Sequence, residues 1–241
     1  MNDSEFIKNN ELEQRHWWFR GRRAVLRAML GSLQLSSGAR ILEAGCGTGG
    51  NLPMLGEFGS VDAMEYNPLA LEFAKANHPS LTIRKGELPD EIPYPDESYD
   101  LVCAFDVLEH IQEDGKAVAA LAGKLKPGGV LLCTAPANQW MWSQHDVINH
   151  HYRRYSLSSF SALFSGNELS VKSASYFNTF LLPAAALVRL FSSGGGESDL
   201  NETSAAVNTM LTRIFSFERH LLPAVRLPFG VSVLCAAIKG R

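Results

Sequence analysis

Two carboxylates flank a run of alternating glycines in this chain, and those residue types at that spacing could hold a nucleoside. The segment Ile41 to Asn51, ILEAGCGTGGN, is an apolar run that passes into a turn with Gly45, Gly47 and Gly49 at alternate positions around Cys46. Glycines there remove Cβ atoms where a backbone must turn tightly and approach a ligand, and the helix that follows presents unpaired N–H groups. Glu65 closes the next apolar run, where a carboxylate can accept hydrogen bonds from both hydroxyls of a ribose. Gly45, Gly47 and Gly50 also satisfy GxGxxG, the spacing of a nicotinamide dinucleotide site. Glu43 argues against that alternative, because a carboxylate just before the first glycine suits a cofactor with an amino group and a sulfonium and would repel a pyrophosphate.

The elements that must position these residues alternate in type. Short apolar runs at Arg40–Ala44, Ser60–Glu65, Leu81–Lys85, Leu101–Phe105 and Val130–Thr134 read as buried strands, and helical patterns fall between them. Asn67 is placed to cap a helix that begins with Pro68, and Val118, Leu121, Ala122 and Leu125 repeat at helical spacing before the turn Lys126–Gly129. Alternation of this kind predicts a doubly wound α/β fold with a mostly parallel sheet whose core is complete by about Pro136. Upstream, Trp17–Leu33 reads as a helix with Trp18, Val25, Leu26, Met29 and Leu33 on one face. Downstream come a helix at Ser158–Gly166, a strand at Val171–Phe177, a polar glycine-rich loop at Ser192–Ser204, a helix at Asn208–Leu222 and a last strand at Val231–Ile238.

Glu43 to Gly49 reproduces ExGxGxG, and with the Tyr-Asn-Pro after Glu65 it resembles the class I S-adenosylmethionine-dependent methyltransferases. Gly86–Val102, Phe105–Ile111 (FDVLEHI) and Leu125–Pro136 (LKPGGVLLCTAP) are similar to further segments of that family, so the resemblance covers most of residues 41–136. It implies a Rossmann-like seven-stranded sheet across a single domain of residues 1–241. Within it, residues 1–38 form an N-terminal helical cap, 39–136 the cofactor core, 137–230 acceptor-side and lid elements with a helical insertion before the last strand, and 231–241 the final strand. By position, Glu43, Gly45, Cys46, Gly47 and Gly49 would hold the methionine part of S-adenosyl-L-methionine. Glu65 would hold the ribose, Tyr66 would pack on adenine, and Glu87 with the Leu88 amide would read the adenine edge. Phe105 and Asp106 follow the fourth strand, at the carboxyl ends where the crevice of such a sheet opens. Glu87 stands where the family more often has aspartate.

An alcohol or phenol acceptor gains from a positioned base, which makes His110 and His145 the catalytic candidates and the expected reaction O-methylation. Arg153, Arg154 and Tyr155, in HHYRRY, are expected to bind an anionic or polar head group through forked hydrogen bonds. This segment and HWWFRGRR, His16–Arg23, resemble parts of a bacterial subgroup often seen with glycan and lipid pathways. His145, Asp146, His150 and His151 carry competent metal-ligand atoms, but four such residues in a polar loop at a spacing that matches no metal motif more often make hydrogen bonds, so no metal is expected. A non-catalytic cofactor-binding protein acting through a partner is the second class of reading, and the nicotinamide dehydrogenase the third.

Bulk properties fit a small or lipid-linked acceptor. The 241 residues carry a formal net charge of -3 without a block of like charge, and DVLEH stands where base-methylating enzymes of this fold carry an Asp/Asn-Pro-Pro-Tyr signature, so nucleic acid is not an expected partner. The four cysteines lack metal or disulfide spacing and read as reduced packing residues. The polar N-terminus lacks the features of an export signal, which makes a cytoplasmic location the expectation. The apolar stretch Phe177–Phe191 is compatible with peripheral contact at a membrane surface and too short to span it, and Phe177–Leu190 with Ile214–Phe229 are compatible with a lid over a lipid-like acceptor. The acceptor molecule and the oligomeric state are not encoded in any motif.

Overall fold

The structure is a computed structural model that describes residues 3–166, 168–191 and 203–240. The chain opens with α1 (Asp3–Leu12) and α2 (Trp17–Ser32), then enters the sheet at β1 (Arg40–Ala44). There follow α3 (Leu52–Gly56), β2 (Ser60–Glu65), α4 (Pro68–Asn77), β3 (Thr82–Lys85), β4 (Tyr99–Phe105), α5 (Asp114–Lys124) and β5 (Leu125–Pro136). Two short helices, α6 (Gln144–Ile148) and α7 (Leu157–Ala162), lead to β6 (Leu169–Phe177), and α8 (Leu182–Phe191) and α9 (Ala205–Phe217) intervene before β7 (Ser232–Lys239). Most of the expected glycine-rich loop, residues 192–202, lies outside the described residues.

The sheet has seven strands in the order β3-β2-β1-β4-β5-β7-β6. Five are parallel, and β7 inserts between β5 and β6 antiparallel to both. Because helices cover both faces, neighbouring residues of one strand serve opposite cores. Ile41, Leu101 and Leu132 pack with Leu26, Leu30 and Phe215 on one side, while Leu42, Val102 and Leu131 pack with Leu121, Phe160 and Phe164 on the other. This two-sided burial is why the strands read as continuous apolar runs. The four cysteines are buried and free within these cores.

Local chemistry starts and stops the helices. Asn67 caps α4, its Oδ1 accepting from the Leu69 and Ala70 amides at 2.9 and 3.0 Å, with Pro68 at the first position. The turn expected at Lys126–Gly129 is absorbed into β5, which starts at Leu125 and pairs irregularly with β4 between Tyr99 and Leu101. The helix α1 was not foreseen, since its polar sequence shows little periodicity, although Phe6 and Leu12 are buried.

The N-terminal cap and the insertion before β7 are packed together. The Trp17 amide donates to Asn208 Oδ1 at 2.7 Å, and Asn208 Nδ2 donates to the Arg15 carbonyl at 2.9 Å. At their crossing α2 offers Gly21, where an added Cβ would lie 2.5 Å from the Phe215 ring. Among the described residues, no helix is long and apolar enough to cross a membrane. Gly21→Ala is expected to overpack this crossing and cost about 1–3 kcal/mol, read as a lowered thermal midpoint.

Candidate active site

The glycine turn between β1 and α3 is held by the end of β2. Gly45, at φ +75°, takes a conformation that disfavours side chains, and a Cβ there would lie 2.6 Å from Val107 Cγ2. The Gly45 and Cys46 amides donate to the Met64 carbonyl at 2.9 and 3.0 Å. Glu65 then clamps both sides of the turn: its Oε2 accepts from the Gly47 amide and its Oε1 from the Asn67 amide, each at 2.8 Å. Burial pushes the Glu65 carboxyl above its ordinary range, and these backbone donors pull against that shift. Glu43 lies deeper, fully buried, with Oε1 accepting from Asn51 Nδ2 at 3.0 Å and Oε2 without a hydrogen-bond partner among the described residues. Burial pushes its pKa up to about 8.

The cap closes over this turn. Thr48 Oγ1 donates to Glu13 Oε2 at 2.7 Å, and Arg23 holds the Glu13 carbonyl at 2.6 Å. Arg22 reaches from α2 to the ends of β4 and β5, with Nη2 2.8 Å from Asp106 Oδ2 and 3.0 Å from Thr134 Oγ1. Its guanidinium lies 5.3 Å from the centre of the Trp18 ring and 5.6 Å from that of Phe105. Arg22 belongs to HWWFRGRR, the sequence signal for the cap, whereas no motif marks Glu13, Thr48 or Asn51 for the contacts they make.

Beneath the cap is a cavity of about 590 Å³, within the usual range for a small-molecule site. Of the expected cofactor residues, Gly45, Cys46, Gly47, Glu65, Tyr66, Glu87, Leu88, Phe105 and Asp106 line it. Glu43 and Gly49 do not, and Glu43 meets the wall through Asn51. Tyr66 is 58% exposed, so its ring is free to cover a ligand.

The same cavity is also lined by Glu109, His110, His145, Asn149, His150, His151 and Arg154. His110 and His151 pack edge to face with ring centres 4.6 Å apart. Burial first, and then the neighbouring His151, push the His110 pKa down to about 3, so this imidazole is neutral across the physiological range. Asp146 is fully buried and accepts at Oδ1 from Arg154 Nε at 2.8 Å and lies 2.9 Å from His151 Nδ1. Although burial opposes it, these two partners hold the Asp146 carboxyl well below the usual carboxylate range.

The tail of HHYRRY is divided between wall and scaffold. Arg154 borders the cavity but is buried against Asp146 and the Ala137 carbonyl. Arg153 and Tyr155 do not line the cavity: Arg153 pairs with Asp114 at 2.6 Å and donates to the Gln112 carbonyl, while the Tyr155 hydroxyl donates to Asp114 Oδ2 at 2.8 Å.

Residues 15–174 match a family model described as a methyltransferase domain. The chain belongs to this methyltransferase family. It is 32% identical over 126 residues to a probable S-adenosylmethionine-dependent methyltransferase of Mycolicibacterium smegmatis, covering 52% of this chain and 48% of that one. It is also 32% identical over 126 residues to a ubiquinone biosynthesis O-methyltransferase of a Bradyrhizobium species, covering 50% and 49%. The chain thus spans about half the length of these curated relatives. Among solved structures, the partner of the Haloferax volcanii Trm112 methyltransferase activator superposes with a TM-score of 0.66 at 17% identity, over 99% of this chain and 96% of that one. The YcgJ protein of Bacillus subtilis does so with 0.61 at 15% identity, over 91% and 99%. At these identities the two structures speak for the fold, which is the Rossmann-like sheet expected from the sequence.

The cofactor of the family is S-adenosylmethionine, and the cavity fits it. A Cβ-free turn, two buried carboxylates behind it and an exposed aromatic beside Glu65 offer what an aminoacyl sulfonium nucleoside requires, and the carboxylates would not suit a pyrophosphate. Two outcomes follow from this electrostatic arrangement. The folded-state pKa of Glu43, about 8, lies above the ordinary 4.5, so folding takes up a proton between those values. The stability from the neutral carboxyl is complete below about pH 4.5 and is lost as pH rises toward 8, so the melting midpoint of the ligand-free parent should fall with pH over this window more steeply than that of Glu43→Gln. Arg154→Ala, which strips Asp146 of its cation in a buried setting, should cost about 3–5 kcal/mol by denaturant titration.

Proposed function

We propose that the protein transfers the methyl group of S-adenosylmethionine to an oxygen of a small or lipid-linked acceptor. The observation that carries this reading is that the glycine turn with Glu65 and the cluster His110, His145 and His151 line one cavity. The cofactor supplies an electrophilic methyl on a sulfonium leaving group. Gly45, Cys46 and Gly47 would form the cradle for its methionine part, with Gly49 shaping the turn from outside the cavity and Glu43 acting electrostatically through Asn51. Glu65 would accept from the ribose hydroxyls with the lone pairs its backbone partners leave, Tyr66 would cover adenine, and Glu87 and the Leu88 amide would meet the adenine edge. Phe105 and Asp106 would form the floor beneath the methyl.

For the acceptor, orientation and exclusion of water supply much of the rate in an in-line displacement. His145 is the better candidate to take a hydroxyl proton, since His110 is buried and held neutral with little basicity. Arg154 would act by fixing Asp146 and through it His151, leaving head-group binding to groups that face the cavity. The relative named as a ubiquinone biosynthesis O-methyltransferase supports oxygen as the acceptor atom. The lack of a like-charge block favours a small molecule over nucleic acid.

Calorimetry with S-adenosylhomocysteine and NAD tests the cofactor half: the former should bind and the latter should not. Glu65→Gln keeps the side-chain shape but can accept from only one of the two backbone amides, and should weaken S-adenosylhomocysteine binding by about 1.5–3 kcal/mol. Incubation with labelled S-adenosylmethionine and a metabolite extract tests the chemistry, the expected result being label in an ether or ester that is lost in His145→Ala. Binding of the cofactor without label transfer to any acceptor would make the protein a non-catalytic binder.

A further inference from the structure

We propose that Glu109, His110 and His151 form a site for one divalent transition-metal ion in the wall of the cavity. One ligand atom from each residue lies within 4.8 Å of the other two. Donors about 2.1 Å from a common ion stand roughly 3.4 Å apart at a tetrahedral angle and about 4.2 Å apart when opposed, so the three close on an ion through shifts of well under an ångström per side chain. All three line the cavity, and an ion held by three protein ligands keeps further positions open toward it.

The second observation is a carboxylate oxygen with nothing to bond. Glu109 is 1% exposed, and its Oε2 has no hydrogen-bond partner among the described residues. A buried acceptor left in this state is costly, and a cation at the point where the two imidazoles converge would satisfy it.

The surroundings of the two histidines match what metal-bound imidazoles require, which is a fixed outer partner on the nitrogen that does not ligate. His151 Nδ1 faces Asp146 Oδ1 at 2.9 Å, an oxygen that also accepts from Arg154, so the nitrogen is placed as the donor, which leaves Nε2 with its lone pair. Arg154 Nε fixes the same aspartate oxygen at 2.8 Å. The His110 ring bonds the Asn149 backbone. The Tyr152 amide donates to the Glu109 carbonyl at 2.8 Å, which ties the segment carrying His151 to the one carrying Glu109 and His110. The set weighed from sequence spacing, His145, Asp146, His150 and His151, shares only His151 with this one, and Asp146 serves as the outer partner.

Two imidazoles and a carboxylate favour zinc, iron or manganese in the divalent state over calcium or magnesium. The ligand completing the shell from the cavity would be an oxygen of the acceptor, a hydroxyl or a hydroxyl beside a carbonyl. That last step rests on the oxygen-acceptor reading above, whereas binding of the metal does not.

The test uses the full chain, stripped with a chelator and titrated with cobalt(II) chloride near neutral pH, with visible absorption and equilibrium dialysis as readouts. One equivalent should bind and give ligand-field bands. His151→Ala and Glu109→Gln should weaken binding at least tenfold, Asp146→Asn by about 10–100-fold, and the remote His220→Ala should match the parent. If Glu109→Gln does not fold by circular dichroism, His151→Ala and Asp146→Asn carry the comparison. No stoichiometric binding by the parent, or equal affinity in folded His151→Ala and parent, would overturn the site. Stoichiometric binding together with no methyl transfer to oxygen acceptors would uphold it while removing the oxygen-acceptor reading.

Discussion

A carboxylate taken out of water must be met by donors, and this requirement organises the molecule around its cavity. Glu65 is the central case. Its two oxygens join the amide of Gly47, on the loop after β1, to that of Asn67, at the head of α4. One side chain thereby fixes the spacing between the glycine turn and the next helix. Glu13 does similar work from above through Thr48, and Glu218 ties the start of the insertion by accepting from the Asn178, Thr179 and Phe180 amides. Each of these acids is buried, and each is met by at least two donors or a cation. Glu43 and Glu109 break the pattern, each with one oxygen unmet, and both belong to the walls of the cavity or stand directly behind them.

The sheet was legible in the sequence because both of its faces are covered. β1 and β2 begin and end at the residues their apolar runs predict, Arg40–Ala44 and Ser60–Glu65. β5 runs longer than its apolar stretch, since Leu125 pairs with Tyr99 ahead of the glycines and a register shift follows. A hydrophobic pattern carries no information about such a bulge. α1 escaped notice for a different reason: Asn, Glu and Lys dominate it, and what it buries includes Glu5 alongside Phe6 and Leu12, so no apolar stripe marks it.

The glycine turn and Glu65 were more legible than the histidine cluster, and the difference is one of contact order. Gly45 and Gly47 directly follow β1 and Glu65 ends β2, and the register of these adjacent strands is dictated by the topology. By contrast His110 and His151 come from separate loops, and what brings them together is the Tyr152 amide on the Glu109 carbonyl and the pairing of Ala137 with Tyr155. Spacing along the chain cannot show this. Nor does it separate neighbours such as Arg153 and Arg154, one of which pairs outward with Asp114 and the other inward with Asp146. The half-buried, mixed character of HHYRRY is consistent with a structural brace that also presents its histidines.

The crossing of α2 and α9 has a consequence for how this protein could change. α2 carries Trp18 and Arg22 into the cavity on one side and receives Phe215 against Gly21 on the other. Remodelling of α9 would be felt through Phe215 and Gly21 along α2 at Arg22, and from there at the Asp106 and Thr134 that Arg22 holds. A helix outside the cavity is therefore mechanically joined to its wall. Drift in α9 and in α2 is coupled, and changes in one are expected to arise together with compensating changes in the other.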